Sequence, residues 1–254
     1  MRTFLAGLRL QAALLRRSPG ELHTLATVPL YTLILLAMTD DPTRPGIAAN
    51  AVIAPMLMAL WSLGLFTAGD LIDRDRYSGT LEPTVAAPAP LALVVGGRIC
   101  AVTAAGLIAF VEAWAVGLCF GVHLTLHHPL ALLTGILASC LATGCTATMI
   151  AAVLVLTRRG RPYQNSLSFP VYLLSGIVLP ISALPHWLHP VSRLIYLSWS
   201  ADLLRSAFRP DAPRQLPAQL LALVLLAAAG LGAATLLLRR VLDRVRVLGT
   251  LGHA

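Results

Sequence analysis

Asp70-Leu71-Ile72-Asp73-Arg74-Asp75-Arg76-Tyr77-Ser78-Gly79-Thr80-Leu81-Glu82 is the stretch on which the fold of this chain turns. It holds six charges in thirteen residues, in a chain that is 57% hydrophobic and only 12% charged. Ordinary soluble domains are roughly 25% charged. A sequence this poor in charge elsewhere is built for lipid, and so dense a charged cluster belongs in water. The stretch reads as a loop where the chain leaves a membrane and faces something docked there.

Working outward, both neighbours are long apolar runs. A hydrocarbon core of about 30 Å takes roughly 20 helical residues. Six segments approach that length: about 22–39, 47–69, 94–122, 130–156, 163–181 and 216–238. None alternates with period two as a barrel strand does, so helices must satisfy their backbone groups. The expected fold class is all-α and integral to the membrane, with residues 1–254 forming a single transmembrane domain. In residues 1–20, Arg2, Arg9 and Arg16 recur every seven residues, and Phe4, Leu5, Leu8, Ala12 and Leu15 make a second face. That pattern predicts an interfacial helix and not a signal peptide. Residues 182–215 combine prolines and arginines with Trp187, Tyr196, Trp199 and Phe208. This mix predicts an external segment of short helices dipping into the interface.

The chain has no lysine, so its 19 basic residues are all arginine. With the N-terminus in the cytoplasm, 14 arginines fall inside and 5 outside, which is the positive-inside bias. Both termini are then cytoplasmic. The net charge of +8 reads as topology and contact with anionic lipid, not as a nucleic-acid surface. The preference for Arg, Ala, Leu, Gly and Pro over Lys suggests a GC-rich bacterial genome, hence a multi-pass protein of the bacterial inner (plasma) membrane.

The residues after the second span carry a local logic. Gly79 permits a tight turn and Thr80 can cap a helix with its hydroxyl. Glu82 falls in the first turn, where the helix dipole favours a carboxylate, and Pro83 is tolerated there. Pro88 and Pro90 stop the element, which predicts a short helix over Thr80–Ala87. Asp73, Arg74, Asp75 and Arg76 ahead of it can make directional contacts with another protein.

These motifs resemble the membrane subunits of ABC-2 type exporters. The family shows an acidic and basic stretch, Gly-Thr-Leu-Glu, a short helix, a proline, then Gly-Lys or Gly-Arg at the next span. Here these are Asp73–Arg76, Gly79-Thr80-Leu81-Glu82, Pro88 and Gly97-Arg98. A second match runs through Leu174-Ser175-Gly176, Pro180, Leu184-Pro185-His186-Trp187-Leu188 and Pro190. The resemblance implies two such subunits paired as a homodimer or heterodimer, each with a separate ABC ATPase beneath it. Thr80–Ala87 becomes the coupling helix seated in the ATPase, and Asp73, Arg74, Asp75, Arg76, Gly79, Thr80, Leu81 and Glu82 the ATPase-coupling residues. The implied cargo is hydrophobic or amphipathic, a drug or antibiotic moved outward along spans two and five. The alternative is a lipid-linked glycan or teichoic-acid precursor.

Independently of the resemblance, a phosphate-binding P-loop needs a lysine, and this chain has none. This polypeptide therefore cannot carry that site, and the resemblance implies ATP and magnesium on the partner ATPase, with no cofactor, metal or catalytic residue on this chain. Glu112 is the acidic residue deep within a span, a functional candidate by its cost alone. Asn165, Ser166, Ser168 and Ser175 on span five either line a path or let helices pack closely. His123, His127 and His128 lie in an exposed turn with no carboxylate nearby in sequence and do not read as a metal site, and Cys100, Cys119, Cys140 and Cys145 read as small apolar residues. An intramembrane enzyme would need converging catalytic groups, which the spans do not offer.

Overall fold

A computed structural model describes residues 2–17, 23–38, 45–79, 91–122, 124–154, 161–178, 181, 184–211 and 215–248. Among them every regular element is helical: α1 (Arg2–Arg17), α2 (His23–Ala37), α3 (Pro45–Tyr77), α4 (Leu91–Ala105), α5 (Leu107–Cys119), α6 (Pro129–Leu154), α7 (Arg161–Leu174), α8 (His189–Leu194), α9 (Tyr196–Ser206) and α10 (Leu216–Leu248).

α3 is the central post. Its 33 residues reach about 50 Å at 1.5 Å per residue. Ile53, Leu57, Leu60 and Leu63 are fully buried along it, within one cluster that also holds Leu197, Leu203 and Leu204 of α9. α2, α5, α6, α7 and α9 all pack against this post, α10 lies along α6, and α1 lies along α4.

α6 shows how such a bundle coheres in lipid. Gly135, Ser139, Thr143, Ala147 and Ala151 recur every four residues and are all buried. Leu130, Leu133, Leu137 and Leu141 on the other side are exposed. Small residues inside and leucines outside invert the soluble pattern, because lipid tails are as apolar as leucine and close backbone approach supplies the packing. The buried hydroxyls are satisfied within the helix: Ser139 donates to Gly135 O at 2.6 Å and Thr143 to Ser139 O at 2.7 Å.

Four expectations change. The charged stretch is not a loop through residue 77: α3 runs unbroken to Tyr77, and no glycine or proline lies between Asp70 and Gly79 to stop it. There the Ser78 amide donates to Arg74 O at 2.9 Å and Gly79 turns with φ +66°. The third span is two helices, α4 and α5, jointed at Gly106, where the Ala109 amide closes a tighter turn on Gly106 O. The fifth span is helical for 14 residues only, and ends at Leu174 before Ser175 and Gly176. Among the described residues, four helical stretches are long and apolar enough to cross a membrane: Ala48–Thr67, Leu93–Cys119, Pro129–Leu154 and Leu216–Arg240. Finally, the segment between α7 and α10 is not a surface layer. Leu197, Ala201, Leu203 and Leu204 of α9 are fully buried against α3, α6 and α10, although Trp187 is 74% exposed.

Candidate functional site

Two arrangements along α3 carry chemistry. The first is a cavity of about 170 Å³ between α2, α3 and α7, lined by Thr27 and Tyr31, by Met58, Ser62 and Phe66, and by Tyr172. Its lining has aromatic faces and hydroxyls but no charge. The Tyr172 hydroxyl hydrogen-bonds Ser62 Oγ and donates to Met58 O at 3.2 Å, tying α7 to α3 across the cavity wall. Pro55 also lines the space, and Pro170 lies inside α7 two residues before Tyr172. Each removes an amide donor, which loosens the local ladder.

Of the polar residues expected along this path, Ser168 is buried and adds a side-chain hydrogen bond to Tyr172. Ser175 is fully buried and donates to Tyr172 O at 3.2 Å. Both support the tyrosine without lining the cavity. Ser166 is exposed on α7, and the Asn165 side chain lies outside the described residues. Glu112 stands apart on α5, half-buried, its Oε2 unpartnered among the described residues. Ser62 and Tyr172 were not singled out from the sequence. The available signal was polar residues within otherwise apolar helices.

The second arrangement lies at the Tyr77 end of α3. Arg98 on α4 is 5% exposed, and its Nη1 donates to Asp75 Oδ2 at 2.6 Å. Its Nε donates to Oε1 of buried Gln11 on α1 at 3.2 Å. The crossing that brings α1 so close rests on two glycines. A Cβ on Gly7 would stand 2.5 Å from Val94 O, and one on Gly97 would strike Phe4 O. One guanidinium thus joins three helices. Arg74, Tyr77, Ser78 and Gly79 are exposed beyond it. Asp75 is therefore occupied within the molecule, whereas the sequence had offered it to a partner. The side chains of Asp73 and Arg76, and all of Thr80, Leu81, Glu82 and the expected helix Thr80–Ala87, lie outside the described residues.

No cluster of His, Cys, Asp or Glu able to hold a metal occurs among the described residues, and Cys100, Cys119, Cys140 and Cys145 are free thiols. His127 and His128 are engaged with Thr125 and with Asp211 O.

A sequence profile of the ABC-2 type transporter family matches residues 17–208, well over half of the chain. The chain belongs to the ABC-2 type transporter family. It is thus an ABC permease subunit, a multi-pass helical membrane protein of a family that normally works with an ATPase partner. The match spans the permease from the end of α1 through α9, so the cavity and the Arg98 ion pair both fall inside it. A search of curated proteins finds no match.

Proposed function

We propose that this permease exports a hydrophobic or amphipathic molecule, of the drug or antibiotic class, through a path between α3 and α7. A second permease subunit faces that path across a dimer interface. Six crossings run through α2, α3, α4–α5, α6, α7 and α10, with both termini in the cytoplasm and α1 on the inner leaflet of a bacterial inner membrane. The segment after Gly79, with a coupling helix at Thr80–Ala87, docks into a separate ATPase that binds ATP and magnesium. Closure of the ATPase pair moves α3 against α7.

The uncharged cavity between α2, α3 and α7 carries this reading. Tyr31, Phe66 and Tyr172 offer aromatic faces, while Thr27, Ser62 and Tyr172 offer hydroxyls. Such a lining suits a neutral or amphipathic ligand oriented by a few hydrogen bonds. A pyrophosphate-linked glycan would bring charges that find no cation among these residues, so the drug reading is preferred over the glycan precursor. The test is the reconstituted complex with its cognate ATPase in vesicles. Glu82→Arg is expected to abolish recovery of the ATPase with the permease while membrane insertion persists. Tyr172→Phe is expected to leave recovery intact and raise the substrate concentration for half-maximal transport several-fold. Undiminished ATPase recovery with Glu82→Arg counts against the coupling role, and unchanged transport with Tyr172→Phe counts against the path.

A further inference from the structure

At the Pro45 end of α3, opposite the Arg98 ion pair, a second arginine joins three elements. Arg205 on α9 has a side chain 13% exposed. Its Nε and Nη2 both donate to Asn50 Oδ1 of α3, at 2.9 and 2.6 Å. Nη2 also donates to the carbonyl oxygens of Gly176 and Ile177, at 2.7 and 2.9 Å. These two residues follow the break in α7, where Gly176 turns with φ +72°. A helix end leaves carbonyls without intrahelical partners, commonly met by a local turn or by water. Here a cation from another element meets the carbonyls just past the break. Hydrogen bonds from a cation are roughly twice as strong as neutral ones.

The position of this tie is its second feature. Asn50 precedes Pro55 of the cavity by five residues, and Ile177 follows Tyr172 by five. On α3 that is about 8 Å toward the Pro45 end. The tie therefore spans α3 and α7 just beyond the cavity, on the side that the proposed topology makes external. Burial pushes the Arg205 guanidinium down from its ordinary range, and the Asp202 carboxylate, 3.8 Å from Nη1, pushes it back up. Asp202 also accepts from Arg193 of α8 at 2.7 Å, and Arg193 lies 4.6 Å over the Trp199 ring. This half-exposed network stays with α8 and α9. The bonds to Asn50, Gly176 and Ile177 all end on uncharged acceptors, which water can replace.

We infer that Arg205 is a positioning residue that latches α3 to the α7 break and so closes the external end of the transport path. Release of cargo requires α9 to let go of Asn50 and of the Gly176 and Ile177 carbonyls. The inference rests on the path proposed above and assigns its outer gate.

The test uses the assembled permease–ATPase complex in sealed vesicles of known orientation. Its four native cysteines are replaced, and Ala59→Cys, at a position of α3 that also lines the cavity, is probed with a membrane-impermeant thiol reagent from the external side. Without nucleotide, labelling is expected to be slow with Arg205, at least about tenfold faster in Arg205→Gln, and a few-fold faster in Asn50→Ala, which removes only the α3 acceptor. The parent is expected to label quickly during ATP turnover. Unchanged labelling in both variants, with the parent still opening under ATP, overturns the latch and leaves the path standing. No labelling in any variant, with or without ATP, overturns the path and the latch together. Loss of assembly in both variants makes the arginine a folding element alone and overturns the proposal.

Discussion

At the scale of single residues, several polar groups of this apolar chain find partners on other helices. Arg98 is the clearest pairing. Its guanidinium is buried with Asp75 and Gln11, so removing Asp75 leaves the Arg98 charge without its ion-pair partner away from water. Breaking such a buried pair costs about 3–5 kcal/mol, because an uncompensated charge is left behind. Arg98→Gln and Asp75→Asn are each expected to lower the midpoint of thermal unfolding in detergent. The double substitution is expected to cost less than the sum of the two, since it leaves no orphaned charge. Additive losses would show that the contact carries no coupling. The presence of Arg98 at the start of a span was legible in Gly97-Arg98. Its partners were not, because Gln11 and Asp75 lie 87 and 23 residues away in sequence and meet it only after α1 crosses α4. The same is true of Tyr172 and Ser62, 110 residues apart.

At the scale of elements, two adjacent glycines make opposite predictions. A Cβ on Gly97 would strike the Phe4 carbonyl oxygen and crowd the Leu8 amide, both backbone atoms that cannot rotate aside. A Cβ on Gly96 meets nothing within 4 Å. Gly97→Ala is expected to lift α1 from α4 and speed tryptic cleavage at Arg9, Arg16 and Arg17. Gly96→Ala is expected to leave the digestion rate unchanged and to gain up to about 1 kcal/mol from better helix propensity. Equal protease sensitivity in the two variants would overturn the crossing. The heptad of arginines predicts an interfacial helix over residues 1–20; α1 is helical over Arg2–Arg17, and its exposed side carries Arg9 and Arg16. What it could not foretell was that the opposite side would meet protein, since a face suited to lipid and a face suited to an apolar helix look alike in sequence.

At the scale of the whole molecule, the proposed topology places the Tyr77 end of α3 in the cytoplasm and the turn containing Trp187 outside. Tyr77 and Trp187 are 93% and 74% exposed, so either position accepts a cysteine without disturbing the core. In a cysteine-free background, Tyr77→Cys is expected to react with an impermeant reagent only in inside-out vesicles, and Trp187→Cys only in right-side-out ones. Reaction of Tyr77→Cys in right-side-out vesicles would invert the topology and remove the docking role of the segment after Gly79. Composition alone determined that the chain belongs in lipid, because solvent transfer acts on each segment separately; apolar length marked six candidate spans, and among the described residues four helices are long and apolar enough to cross. The order of motifs from Asp73 to Pro190 determined the family for the same reason, as each motif is local. The burial of α9, the shortness of α7 and the two arginine ties were decided by tertiary structure. Each depends on which distant carbonyl, carboxylate or amide a polar group reaches when lipid offers it no water, and that partner is set by how the helices cross.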